Sequence, residues 1–280
     1  MMHVRALILG LSLLLTTLGG CGVSIRLPGD GTPTGLRQPL AASGRGEVVR
    51  QGDNRFRAAC SNFEGVAVEQ QSEVWCWAAA AEMVHRYHGR RISQREIAER
   101  IQGHSGNSPE KAQAAGVAEM TLALSPEMHD RLVEQAYGLA SSASLQRMLH
   151  GGFQWQQLAE QALNFSVSAL GYDSEQMVAD ISGGMPMVAG LVEEAGESAM
   201  GHIYVIYALT YSEENPPLTR QLMGEAKPTY SLHSAEAIDP WTGKPVTLSG
   251  KRLTEQLDFV LTQRRSEELL GQVNRSLGLH

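Results

Sequence analysis

Apolar and polar positions change period several times along the chain, and the changes divide it. Ala6 to Leu18 is an apolar run behind a single basic residue, Arg5, and ahead of Gly19-Gly20. A run that short, closed by glycines, predicts a secretory signal over Met1–Gly20 rather than a spanning helix. From 21 to 57 no apolar period is visible. Glycine and proline recur there (Pro28-Gly29-Asp30-Gly31, Pro33, Gly35, Pro39, Gly44, Gly46), which predicts a flexible tether. From Ala58 to about residue 265 the pattern is dense enough for one substantial core, and 266–280 reads as a C-terminal tail.

Within that core region the periods name elements. An alanine-rich run with helical spacing predicts a helix over Trp77–Tyr87, ended at Gly89. Ser93 with Glu96 three residues on is a capping box and starts a second helix. Further starts are expected at Ser108-Pro109-Glu110, Ser125-Pro126-Glu127, Ser144 and Asp173. Pro186–Val192 reads as a strand, hairpinned across 193–201 to a β-branched and aromatic strand over His202–Leu209. A third strand ends in Ala237-Ile238-Asp239. A helical half followed by a sheet half predicts an α+β fold.

Composition adds two exclusions and one address. The formal net charge is −7, and losing Arg5 with the signal makes it more negative, which argues against nucleic acid as a partner. No further segment is long and apolar enough to cross a bilayer. Leu18-Gly19-Gly20-Cys21 resembles a bacterial lipobox, which implies cleavage before Cys21 and a lipid on that residue. The protein is then expected in the cell envelope, anchored without spanning it. Gly22 is not the aspartate that resembles an inner-membrane retention signal, so the outer membrane is the expected destination where the host has one.

The three cysteines carry the chemical question. With Cys21 lipidated, Cys60 and Cys76 remain, and an exported even pair reads as a disulfide. Yet Cys76 lies between Trp75 and Trp77 at a helix start, where free N–H groups and the positive end of the helix dipole favour a thiolate. Local features leave both readings open. A reactive thiolate needs a base and an orienting group for it. His85 and His88, at i and i+3 on the same helix, could be a metal pair but read as a solvated face. His104, His129 and His150 have no special context. His202 stands at a strand's mouth after a small-residue turn, and Asp239 ends a strand before a Pro-x-x-Gly turn.

Gln70 with Cys76-Trp77-Ala78-Ala79, then Gly201-His202, then Asp239-Pro240-Trp241 resemble the papain-like cysteine peptidases of bacteria. The likeness is to compact forms related to bacteriocin-processing double-glycine peptidases and to avirulence-type effector proteases. The resemblance implies Cys76 as nucleophile, His202 as general base and acid, and Asp239 as its orienting partner. It also implies Gln70 as oxyanion donor beside the Cys76 N–H, with Gln71 the near alternative, and a peptide or protein substrate with no cofactor and no metal. Trp77 is expected in the core and Trp75 on a cleft wall. Two stretches depart from the compact pattern, 104–165 as a helical insertion and 212–233 as an extended loop holding His233, a lesser candidate base. Two other activities stay open: an acyl transferase or amidase using the same triad, and a non-enzymatic binding lipoprotein with a Cys60–Cys76 disulfide.

Overall fold

The computed structural model describes residues 46–102, 115–128, 130, 173–193, 200–214 and 228–276. The expected signal, Cys21, and the helix starts at Ser108 and Ser144 lie outside these residues, as do His104, His129 and His150. Elements are numbered among the described residues.

The long strand β4, Met200–Glu214, organises the sheet. Ile203 to Leu209 are buried without a break, so both faces of this strand are covered, which explains an apolar run with no alternation. Strands β2 (Arg55–Cys60) and β3 (Met187–Glu193) both pair antiparallel with β4, through Arg55–Ala59 with Ser212–Ala208 and Met187–Glu193 with Ile206–Met200. Strand β5 (Thr229–Asp239) pairs with β4 from Val205 to Glu214. It therefore takes the opposite edge, and β2 and β3 lie end to end along the other. Outside these run β1 (Gly46–Arg50) on β2, β6 (Lys244–Ser249) on β5 and β7 (Leu257–Leu261) on β3.

Helix α1, Cys76–Tyr87, forms where four consecutive alanines, the best helix formers, follow Trp77. All four are fully buried and the helix packs on β4. It ends at Gly89, whose φ of +80° a side chain would resist. Helix α2, Gln94–Gln102, starts as its capping box requires: Ser93 N and Oγ both donate to Glu96 Oε2, at 2.8 and 2.7 Å. Helix α3, Val117–Leu124, packs on α1 and α2 and is buried on nearly every side. Helix α4, Ser174–Ser182, is capped by Asp173, whose carboxylate accepts from Glu175 N. The short α5, Gly250–Glu255, precedes β7, and α6, Gln263–Ser276, closes the described chain.

Four expectations are corrected. The tether is shorter than 21–57, because Gly46–Arg50 pairs in full with Phe56–Cys60. The tail is largely the helix α6, whose Leu269 and Leu270 are buried. The 104–165 stretch is not all insertion: α3 is buried on nearly every side and belongs to the core. The stretch 212–233 is strand at both ends, since β4 runs on to Glu214 and β5 begins at Thr229, which puts His233 on a strand.

Candidate active site

Cys76 is the first residue of α1 and half-buried. The backbone N–H groups of Trp77, Ile203 and Cys76 itself act on its sulfur. Two of these belong to the helix start. The third belongs to the residue after His202, so the helix N-terminus abuts β4 beside that histidine. Burial is the largest influence and pushes the thiol above its ordinary value of 9.0; the three N–H groups pull it down, and the Asp239 carboxylate pushes it up again. The sequence expectation that the helix start lowers the thiol names a real contribution, but desolvation outweighs it. The thiol is an acid that holds its proton at neutral pH unless a neighbouring base takes it.

His202 precedes Ile203 on β4. Extending the Val205–Ile238 pairing by one residue sets Asp239 across from Tyr204 and diagonal to His202 on one face of the sheet. His202 Nε2 lies 2.8 Å from Asp239 Oδ1, with both side chains 19% exposed. A carboxylate accepts, so the Nε2 proton is donated to Asp239 and Nδ1 is left free of that bond. The Tyr204 ring stands edge-on to the imidazole with centroids 4.7 Å apart, and Arg252 Nη2 donates to the Tyr204 hydroxyl at 3.0 Å. Asp239 Oδ1 also accepts from Trp241 N at 2.8 Å, and the Asp239 carbonyl accepts from Gly243 N at 2.8 Å.

That turn touches the loop of Gln70. Gln70 N donates to the Pro240 carbonyl at 2.7 Å. Gly243, at φ +63°, lies so close that a Cβ there would stand 3.0 Å from Glu69 N. The Gln70 side chain is half-buried, and its Nε2 donates to the Ser72 carbonyl at 2.8 Å. The same carbonyl accepts from Trp75 N at the entry to α1. One Nε2 hydrogen is thereby committed and the second is left over. Gln71, the alternative donor, has an exposed side chain.

Other candidates sort as follows. Trp77 is in the core as expected, but Trp75 is also there, 1% exposed, and is no cleft wall. The indole left exposed beside the pair is Trp241, at 52%. Sequence reasoning quoted it only as part of a motif, although an aromatic in a turn with no core to fill was the available signal. His85 is not on a solvated face: α3 covers it, its Nε2 lies 2.8 Å from the Ala123 carbonyl, and burial lowers its pKa. His233 is exposed on β5. Cys60 and Cys76 are both free thiols, so the disulfide of the binding-module alternative is absent. Cys60 is buried at the end of β2 with its Sγ toward the Ile181 carbonyl, and burial pushes its thiol up to about 12. Among the described residues no three His, Cys, Asp or Glu side chains are grouped to hold a metal.

A helix that begins on a cysteine, packed against an antiparallel sheet that carries a histidine–carboxylate pair, is the α+β layout of papain-like cysteine peptidases. The model of the Peptidase_C39 like family matches residues 63–216, more than half of the 280, and the chain belongs to that family. The matched span holds Gln70, Cys76 and His202 and stops before Asp239. No curated protein and no solved structure matches the chain. At family level the protein is a papain-like cysteine peptidase, and its substrate class is protein or peptide.

Proposed function

We propose that the protein hydrolyses peptide or isopeptide bonds through a Cys76–His202–Asp239 triad while held to a membrane by a lipid on Cys21. The observation that carries the catalytic part is the convergence at one helix start: the His202–Asp239 bond at 2.8 Å, and the Ile203 N–H and Asp239 charge acting on the Cys76 sulfur. In this reading His202 Nδ1 takes the thiol proton and the sulfur attacks the substrate carbonyl carbon, forming the C–S bond. The Cys76 N–H and the free Gln70 Nε2 hydrogen bind the developing oxyanion. The imidazolium then gives its proton to the leaving nitrogen as the C–N bond breaks. Water, deprotonated by His202, releases the acid from the thioester, and an amine at the same step gives acyl transfer instead.

The test uses the purified full-length chain in detergent with a mixture of synthetic peptides, read by mass spectrometry. New peptide termini are expected from wild type and absent from Cys76→Ala and His202→Ala. Folded wild type that cleaves nothing, or cleavage that survives in Cys76→Ala, refutes the reading. New amide products in excess amine, without hydrolysis, assign transfer rather than hydrolysis.

The anchor rests on Leu18–Cys21 at the end of the apolar run and on the glycine- and proline-rich stretch behind it. No helix among the described residues is long and apolar enough to cross a membrane. Cys21→Ser is expected to move the protein from the membrane fraction to the soluble one, and unchanged fractionation overturns the anchor.

A further inference from the structure

Gln94 is the first residue of α2 and only 1% exposed. Its side chain makes two bonds to the backbone of the distant Gln70 loop. Gln94 Oε1 accepts from Gln71 N at 2.9 Å, and Gln94 Nε2 donates to the Glu69 carbonyl at 2.9 Å. A glutamine amide has one acceptor end and one donor end, and here each meets its opposite on either side of Gln70. The contact is the one a neighbouring strand would make. From the other side, the Pro240 carbonyl holds Gln70 N. Three successive backbone groups, Glu69 O, Gln70 N and Gln71 N, are therefore fixed from two directions.

A buried glutamine is costly unless both ends are satisfied. The capping box needs only Ser93 and Glu96, so helix α2 does not require glutamine at 94. What requires it is the loop. An oxyanion donor works by standing in place before the charge develops, and a side chain on a loop stands in place only if its own backbone does. We infer that Gln94 is a positioning residue for the oxyanion hole, aiming Gln70 by clamping the peptide groups that flank it. The inference rests on the reading of Gln70 as oxyanion donor.

The experiment compares two reactions of the same sulfur in the full-length chain. Acetylation of Cys76 by p-nitrophenyl acetate passes through a tetrahedral oxyanion, and alkylation by iodoacetamide does not. The ratio of the two rates, followed on the Cys76 peptide by mass spectrometry, reads the oxyanion hole and cancels thiol reactivity. Gln94→Met keeps the volume and removes both bonds, and Gln94→Glu keeps the acceptor for Gln71 N and loses the donor. Gln70→Ala is expected to lower the ratio about tenfold or more. Gln94→Met should do nearly the same, Gln94→Glu less, and Gln70→Ala with Gln94→Met no more than Gln70→Ala alone.

Alkylation rates and their pH profile should stay within about twofold of wild type in all four, because the Cys76–His202 pair is untouched. A normal ratio in folded Gln94→Met, with Gln70→Ala lowered, overturns the role of Gln94 alone. So do effects that multiply in the double variant. A normal ratio in Gln70→Ala overturns the oxyanion reading of Gln70, and the inference falls with it. If Gln94→Met does not fold, Gln94→Glu carries the same comparison.

Discussion

Removing His202 tests how the Cys76 thiol loses its proton. An ordinary thiol at the reference value of 9.0 is about 1% ionised at pH 7, and burial pushes Cys76 higher still. Raising an acid's pKa lengthens the pH range over which it stays protonated, so without a partner the thiolate fraction at pH 7 falls below about one part in a hundred. With His202 present the proton only has to reach Nδ1, and the Asp239 carboxylate at 2.8 Å steadies the resulting imidazolium. His202→Ala should therefore slow alkylation of Cys76 by about a hundredfold or more at pH 7. It should also change the profile. The wild-type rate stays nearly flat through neutral pH, while the variant rate climbs about tenfold per pH unit from 6 to 9 without a plateau. The assay is iodoacetamide labelling of purified protein across pH 5–9, quantified on the Cys76 peptide so that Cys60 does not contribute. Superimposable profiles for wild type and His202→Ala would refute the pairing, because the histidine would then do nothing for the thiol.

Burial of the Cys60 thiol lowers stability in alkali. Its thiol stays protonated in the fold up to about 12 and would ionise from about 9.0 unfolded, so the folded state binds more protons between those values and stability falls as pH rises through them. Denaturant titrations at pH 7 and pH 10 should show wild type losing about 1 kcal/mol more than Cys60→Ala over that interval, while Cys76 alkylation in the variant stays unchanged; equal losses would show that Cys60 ionises freely. Gly190 on β3 admits no side chain, since a Cβ would stand 2.2 Å from the Phe259 ring. Gly190→Ala should cost about 1–3 kcal/mol in urea unfolding, and Phe259→Leu in the same chain should recover part of it; additive losses would mean that the ring is not what excludes the methyl group.

What could be read without coordinates was whatever depends on near neighbours in the chain. Ser93 and Glu96 complete their box within one turn, Asp173 caps its own helix, and the run after His202 is buried on both faces as its composition implies. Gln70, Cys76, His202 and Asp239 were legible as residue types in telling settings. Most of the misreadings turn on partners distant in sequence. Trp75 looked free to line a cleft because nothing local shows that the core receives its indole. His85 looked solvated because its cover, α3, is more than thirty residues away. The sequence around His233 reads as loop, yet exposure in the structure alternates along Thr229–Ser234, the period of a half-buried strand. Gln94 carried no signal at all, since its partners are backbone atoms whose identity is the same in every residue.

The end-to-end placement of β2 and β3 governs what the protein can tolerate in its middle. The chain leaves the sheet opposite Ala208 and returns opposite Ile206, two residues apart on β4, or about 7 Å along a strand. The described residues between Cys60 and Met187 thus leave and rejoin the sheet through one doorway, with both doorposts cut from the same strand. The register of the sheet, and with it the bond between His202 and Asp239, is set without reference to how long that excursion is. Doubling the length of a flexible loop adds only about 0.6 kcal/mol of closure entropy. Between α2 and α3, or between α3 and α4, the chain can therefore gain length, and a foreign domain could be spliced in, while the histidine and its carboxylate keep their places.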